Sequence, residues 1–313
     1  MSRCFLTGVH RWGKITAKSV IRMKYNLDDA RNYKEAGTAT VFGHLRQFPE
    51  QCRISWQKIS EFGLPGGYRD IERVLILGMG GSAIGGEIVG QLIASRGEVL
   101  VHVHRDYGLP FRPDSKTLVI ASSYSGNTEE TLSGFNASIC TPAKKLAMTT
   151  GGKLEALAEA NGIPVYKIDY ESPPRMAFPH SFISMLGVFC KLGLMGENPP
   201  DVRAALDTLK RLRDEYSETS PISSNPAKQL AARLAGSAVV VYGSGVLGAV
   251  ARRWKTQINE NAKTWAFYES FPELCHNAIV GYGFPPELKD KIFVLLLRAP
   301  DIHPRLELRY KAA

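Results

Sequence analysis

Residues 71–86 read Ile-Glu-Arg-Val-Leu-Ile-Leu-Gly-Met-Gly-Gly-Ser-Ala-Ile-Gly-Gly. The run Val74 to Leu77 is continuously apolar, the pattern of a strand covered on both faces in a parallel sheet. Gly78, Gly80 and Gly81 follow at once, removing Cβ where the backbone must turn sharply and come close to something. Small residues then open a helix, whose first N–H groups lack intrahelical partners and welcome an anion. Two other readings stay open. The glycines of a tight βα connection can serve packing alone. Alternatively, Gly78-x-Gly80-x-x-Ala83 satisfies the dinucleotide fingerprint G-x-G-x-x-G/A, with Asp106 just past the next apolar strand, Val99 to Val103.

Outward from this stretch the chain alternates. Upstream, Phe42, Leu45, Phe48, Cys52, Trp56 and Ile59 mark a helix over 41–62 that Pro49 is expected to bend or split. Leu64-Pro-Gly-Gly67 then turns into the first strand. Downstream, strands are expected at 74–77, 99–104, 117–121, 144–149 and 164–168, with helices at 83–95, 128–138 and 153–160. This βα alternation means a doubly wound parallel sheet. A long apolar helix near 180–195 closes the unit, and Gly196-Glu-Asn-Pro-Pro200 marks a boundary. Helices at 201–216 and Asn225 to Leu234 follow. A buried strand at 237–242 then runs into Gly243-Ser-Gly245 and a helix from Val246 to about Asn261, repeating the strand, glycine turn and helix plan. The expected fold is α/β, two α/β/α sandwiches with parallel sheets. The expected layout is a basic tail at 1–22, a helical segment at 23–66, a first domain at 67–196 and a second at 197–313.

Composition bounds the function. With 313 residues, 44% apolar and 22% charged, the chain has the make-up of a soluble globular protein with room for two cores. No stretch is apolar for long enough to cross a bilayer. Cys4, Cys52, Cys140, Cys190 and Cys275 are odd in number and scattered, so they read as buried thiols in a reducing cytoplasm. The net charge is +9, yet Arg3, Arg11, Lys14, Lys18 and Arg22 supply more than half of it in an acid-free tail. The body lacks basic blocks interleaved with aromatics, which argues against a nucleic-acid groove. The tail has the look of a targeting segment, but the simpler account is that Met23 begins the natural chain.

A second chemical stretch runs from Thr117 to Thr131: Thr-Leu-Val-Ile-Ala-Ser-Ser-Tyr-Ser-Gly-Asn-Thr-Glu-Glu-Thr. A strand ends in Ser122, Ser123, Ser125 and Thr128, with Gly126 for the turn and the Asn127/Glu130 spacing of a capping box. Hydroxyls gathered at a helix N-terminus can hold a phosphate without a lysine. The plainer alternative is a serine-rich turn that only caps its helix. Neither turn carries Gly-Lys-Ser/Thr, so a P-loop is not expected.

Val74 to Ser82, together with Ser123-Tyr-Ser-Gly-Asn-Thr-Glu-Glu-Thr131, resembles the sugar isomerase (SIS) domain. Asn259-Glu-Asn-Ala-Lys263 and Pro272-Glu-Leu-Cys-His-Asn277 resemble the bifunctional phosphoglucose/phosphomannose isomerase family of archaea and bacteria, over about residues 24 to 300. The resemblance implies SIS-type sandwiches that isomerise glucose 6-phosphate and fructose 6-phosphate, with mannose 6-phosphate as a further substrate, in a cytoplasmic homodimer. It implies no cofactor and no metal. The phosphate would lie among Ser123, Ser125 and Thr128, with Gly80, Gly81 and Ser82 lining the pocket. Glu260 matches the base that moves a proton between C1 and C2, a role suited to a carboxylate whose pKa partial burial raises. His276 matches the ring-opening residue, lent by the neighbouring subunit, and Arg175 the cation beside the enediolate. Each has a plainer reading: Glu260 pairs with Arg253 or Lys263, His276 is an ordinary polar residue, and Arg175 anchors a loop. His102-x-His104 has metal-ligand spacing but no third ligand at a telling distance.

The chain ends at Ala313, whereas the family continues through a further strand and a final helix carrying a catalytic lysine; Lys311 has no family context. The resemblance therefore implies a second domain incomplete at its C-terminus, with apolar surface open to water and impaired or absent turnover. Two rival functions remain: a sugar-phosphate sensor that does not turn its ligand over, and a nicotinamide-dependent oxidoreductase.

Overall fold

A computed structural model describes residues 26–35, 38–94, 99–195, 201–300 and 302–313. The basic tail at 1–22, Met23 and the expected boundary at 196–200 lie outside the described residues. The chain divides into two compact units. One spans His44–Arg211, and the other joins Leu212–Ala313 to the chain up to Gly43.

In the first unit, β1 (Arg73–Leu77), β2 (Leu100–His104), β3 (Thr117–Ser122), β4 (Lys144–Thr149) and β5 (Val165–Lys167) form one parallel sheet in the order β2-β1-β3-β4-β5. Alternate side chains leave each strand on opposite faces, and the two faces bury separate cores. Val74, Ile76, Leu118, Ile120, Leu146 and Met148 pack under helices α2 (Ala39–Glu61, from His44 on), α3 (Gly80–Ala94) and α6 (Phe178–Lys191); a short helix α1 (Ala30–Glu35), earlier in the chain, belongs to the other unit. Leu75, Leu77, Val119, Ala121 and Ala147 pack under Phe135 of α4 (Glu129–Ile139) and Leu154 and Ala158 of α5 (Gly152–Ala160). The continuous apolar runs are explained by this double covering.

Pro49 does not split its helix. It sits inside the unbroken α2 and is itself buried. Proline deletes one backbone donor and crowds the preceding turn at a cost of about 3 kcal/mol. Here Cys52, Ser55 and Ile59 of the same helix are buried. Burial of that face outweighs the local penalty. Not all the thiols are buried: Cys52 is, but Cys140 just past α4 is exposed.

In the second unit, helices α7 (Val202–Glu215, its last turn) and α8 (Pro226–Leu234) lead to a parallel sheet of β6 (Ala238–Ser244), β7 (Ala266–Phe271) and β8 (Ile292–Leu296) in the order β7-β6-β8. Helix α9 (Val246–Gln257) follows β6 and ends in a π-helical turn, Ile258–Ala262. The expected α-helix to Asn261 thus changes geometry in its last turn. A terminal helix, α10 (Pro304–Ala312), lays Leu306 and Tyr310 against Tyr242, Phe271 and Leu274, and Tyr310 Oη donates to the Leu297 carbonyl at 2.8 Å. Part of the apolar face expected to lie open is therefore covered. Among the described residues this sheet has two edges, and Phe267, Ile292 and Val294 on its edge strands are exposed.

Candidate active site

The strand order fixes where a ligand belongs in the first unit. From β1 the chain steps outward to β2, then returns across β1 to β3 on its other side. The β1/β3 pair is therefore the topological switch point, where open α/β sheets bind ligands outside their carboxyl strand ends. Both motif turns hang from that edge: Gly78 to Ser82 follows β1, and Ser123 to Thr128 follows β3.

The turns are joined to each other. A Cβ on Gly78 would stand 2.8 Å from the Ser122 carbonyl oxygen, so only glycine lets the two strand ends close up. Tyr124 N donates to Ser82 Oγ at 3.1 Å, tying the second turn to the head of α3. Ser123 is 1% exposed; its Oγ accepts from Gly126 N at 3.1 Å and lies 2.9 Å from Thr128 Oγ1. Ser123 thereby shapes the turn, while Ser125 is exposed, Ser82 and Thr128 are half-buried, and Gly80 and Gly81 head α3. Ser125 Oγ accepts from Asn127 N at 3.3 Å and keeps its proton to donate. The result is an uncharged cradle of hydroxyls and helix-head N–H groups, suited to a phosphate.

The expected capping box does not form. Thr128 takes the N-cap position of α4 without a side-chain cap bond. Asn127 instead reaches sideways: its Oδ1 accepts from Lys153 N of α5 at 3.2 Å, and its Nδ2 donates to the Ser125 carbonyl at 3.1 Å. Adjacent parallel strands bring the heads of α4 and α5 to one edge, and Asn127 caps its neighbour.

Arg175 sits in a 3₁₀ turn, Pro174–Met176, that packs against α3 just before α6, and Ser181 of α6 donates to the Gly81 carbonyl at 3.2 Å. Behind this region lies a buried histidine. His180 is 5% exposed, its Nδ1 is 2.8 Å from Ser55 Oγ, and its ring stacks on Tyr170 at 4.6 Å. Burial first, and then the charge of Lys58, push its pKa down to about 4. A histidine kept neutral in the folded chain but protonated in the unfolded chain costs stability as pH falls. Unfolding stability should therefore drop from about pH 6.5 towards pH 4, by up to about 1.4 kcal/mol per pH unit. Urea unfolding of the wild type and of His180→Gln between pH 7 and 4.5 should show the shallower fall in the variant; identical slopes would refute this.

The second unit carries Glu260 and His276. Glu260 is exposed within the π-helical turn, so the expected partial burial is not found in this unit. Its charge bears on Arg253, whose pKa burial lowers to about 10 while Glu260 acts to raise it. The plainer reading of Glu260 as a partner of Arg253 thus has an electrostatic basis. Asn259 closes the turn by donating to the Thr264 carbonyl at 2.8 Å. His276 is exposed at the end of a 3₁₀ turn, Glu273–His276. The two residues flank β7, Glu260 before its first residue and His276 beyond its last. A strand of that length spans about 17 Å, and Glu260 and His276 leave the chain on either side of it.

His102 and His104 have stacked rings 6.3 Å apart beside Phe111. No group of three or more His, Cys, Asp or Glu able to hold a metal forms among the described residues. No described helix is long and apolar enough to cross a membrane.

The chain is 39% identical over 270 residues to the bifunctional phosphoglucose/phosphomannose isomerase of Caldicellulosiruptor bescii, covering 86% of this chain and 80% of that protein. The chain belongs to the bifunctional phosphoglucose/phosphomannose isomerase family. Residues 223–313 also match the bacterial phospho-glucose isomerase C-terminal SIS domain. The D-glucosamine-6-phosphate 4-epimerase of Sulfolobus acidocaldarius is 30% identical, covering 76% of each chain. A hypothetical protein from Thermus thermophilus shares the fold, with a TM-score of 0.62 at 18% identity, covering 90% of this chain and 74% of that one. In a member of this isomerase family the dinucleotide reading of Gly78-x-Gly80-x-x-Ala83 gives way.

Sequence reasoning passed over several residues of the first-unit site. Tyr124 stands between two cradle serines, and its phenol reaches elsewhere, to the chain leading to Arg175. Thr150, which donates from N and Oγ1 to the Tyr124 carbonyl at 3.0 and 2.7 Å, follows β4 and gave no motif signal. In the second unit β7 was not foreseen, because Ala-Phe-Tyr-Glu-Ser-Phe on a sheet edge shows neither clean alternation nor a continuous apolar run.

Proposed function

We propose that this chain interconverts the aldose and ketose forms of hexose 6-phosphates, glucose 6-phosphate and fructose 6-phosphate first, and accepts mannose 6-phosphate. The observation that carries the reading is the hydroxyl-lined cradle at the β1/β3 switch point, where Ser82 and Tyr124 lock two turns together without any lysine. Ser82, Ser125 and Thr128 hold the phosphate, Gly80 and Gly81 bring helix-head N–H groups to it, and Ser123 fixes Thr128.

The chemistry assigned to the remaining residues rests on the family. His276 exchanges a proton with the ring oxygen and opens the pyranose or furanose. Glu260 takes the C2 proton of the open-chain aldose, leaving a cis-enediolate charged on O1; the O2 proton passes to O1, and Glu260 returns its proton to C1 as the C2 carbonyl forms, giving the ketose. The charge that develops on oxygen in between is met by Arg175, whose guanidinium stays protonated throughout. This route needs no metal. In the family the ring-opening residue comes from the neighbouring subunit, and the placement of Glu260 and His276 on either side of β7 is compatible with a homodimer in which each sugar meets Glu260 of one copy and His276 of the other.

A coupled assay of fructose 6-phosphate conversion to glucose 6-phosphate, with EDTA present, tests the proposal. Turnover of fructose 6-phosphate and mannose 6-phosphate is expected of a chain carrying the family's final strand and helix. Binding without turnover there would instead make the protein a sensor. A product inverted at C4 would place it with its epimerase relative. Ser125→Ala should raise Kd for fructose 6-phosphate about tenfold to a hundredfold, since hydrogen bonds to charged groups contribute about 1.5–3 kcal/mol. Calorimetric titration showing unchanged affinity would remove Ser125 from the cradle.

A further inference from the structure

Tyr124 stands in the phosphate turn, but its side chain serves another loop. Its backbone belongs to the cradle: the N–H donates to Ser82 Oγ at 3.1 Å, and the carbonyl accepts from Thr150 N at 3.0 Å and Thr150 Oγ1 at 2.7 Å. Its phenol oxygen donates to the Tyr170 carbonyl and accepts from Ser172 N at 2.9 Å. One hydroxyl thus grips both ends of the three residues 170–172.

That segment is itself firmly held. The Tyr170 phenol oxygen lies 2.6 Å from His44 Nδ1 and accepts from Gln51 Nε2 at 2.7 Å, both on α2, and its ring rests on buried His180. From Ser172 the chain passes through Pro173 and Pro174 to Arg175. Pro173 is extended, at φ −56° and ψ 139°, and Pro174 opens the 3₁₀ turn. Two prolines fix two φ angles, so little slack lies between the gripped segment and the guanidinium.

We propose that Tyr124 is a positioning residue that sets where Arg175 stands relative to the phosphate cradle. The rest of the reacting sugar is placed by its phosphate. A cation meant for an oxyanion several carbons away must therefore be referenced to the phosphate site; beside the packing of the Arg175 turn on α3, Tyr124 is a covalent and hydrogen-bonded link between the two. The inference rests on the proposed isomerase reading, in which Arg175 faces the enediolate.

The test is a double-mutant cycle on the full chain with Tyr124→Phe, Arg175→Gln and the pair, reading kcat, KM for fructose 6-phosphate and Ki for inorganic phosphate. Tyr124→Phe keeps the ring and removes only the hydroxyl. It should lower kcat about tenfold or more, change KM and the phosphate Ki less than threefold, and add no further loss in the Arg175→Gln background. Tyr170→Phe, which frees the same segment from its α2 end, should give a smaller loss of the same kind and serves if Tyr124→Phe does not fold. Additive losses in the cycle, or a rise in the phosphate Ki matching the fall in kcat, would overturn the proposal, because Tyr124 would then act on the cradle alone. Full activity in Arg175→Gln would instead sink the role given to Arg175, which separates failure of the underlying reading from failure of this inference.

Discussion

Exchanging Glu260 for glutamine is expected to lower kcat for fructose 6-phosphate by about 10²–10⁴-fold, the usual worth of a positioned acid–base group. Binding of the sugar phosphate should survive. The substitution removes the basic oxygen while keeping the size and shape of the side chain, and Glu260 is exposed in its turn, so folding should not suffer. The outcome bears on a structural point as well as a chemical one. Arg253 is half-buried and feels the Glu260 charge. If that pairing were the whole role of Glu260, the glutamine variant would lose a little thermal stability and keep its turnover. Near-normal kcat with a lowered melting temperature would therefore defeat the assignment, whereas lost turnover with intact calorimetric binding would sustain it. A π-helical turn is a common mark of a functional position within a helix, and here it is the turn that carries Glu260.

The other large effect is expected at Gly126. Its backbone has φ +68°, and a Cβ there would lie 1.7 Å from the Gly151 carbonyl oxygen. An alanine would add left-handed strain of about 1–2 kcal/mol to an overlap costing about 1–3 kcal/mol. Relief requires moving the head of α5 or the turn itself. Gly126→Ala should thus destabilise the protein by about 2–5 kcal/mol and strip it of phosphate affinity, because Ser123, Ser125 and Thr128 move with the turn. Gly80→Ala is the control. Its φ is +49°, yet nothing stands within 4 Å of the added Cβ, so strain alone should cost about 1–2 kcal/mol. Urea unfolding of both variants checks the ranking; equal losses would show that the crowding at Gly151 is relieved without cost.

The contrast between the two units shows what a sequence can display. In the first, strands buried on both faces leave long apolar runs such as Val74 to Leu77 and Leu118 to Ala121, and glycine or serine turns punctuate them. Architecture and candidate cradle were therefore legible together. In the second, β7 lies on a sheet edge with Phe267 exposed and Glu269 mid-strand, and its pattern matches no simple period. Helix α10 went unseen for a related reason: its apolar contacts rest mainly on Leu306 and Tyr310, too few to stand out among Arg305, Glu307, Arg309 and Lys311. Contacts at a distance in sequence were also hidden. Asn127 has good local partners for a capping box, but the neighbouring helix head offers an N–H that only the parallel sheet brings near. Pro49 shows the same rule from the other side, since the burial that overrides its local preference is not written in the residues beside it.

Gly78 closes the gap between the ends of β1 and β3 by lacking a side chain, and the oxygen it makes room for belongs to Ser122, not to a ligand. Its service is to the join between strands, whatever the cradle above it holds. Selection on the two turns is therefore of two kinds. A lineage that gave up catalysis would be free to replace Ser125, which is exposed and makes one backbone bond within its own turn, but would destabilise the fold by replacing Gly78. The glycine signature that first draws the eye would outlive the activity, and the hydroxyls beside it would be the first to drift.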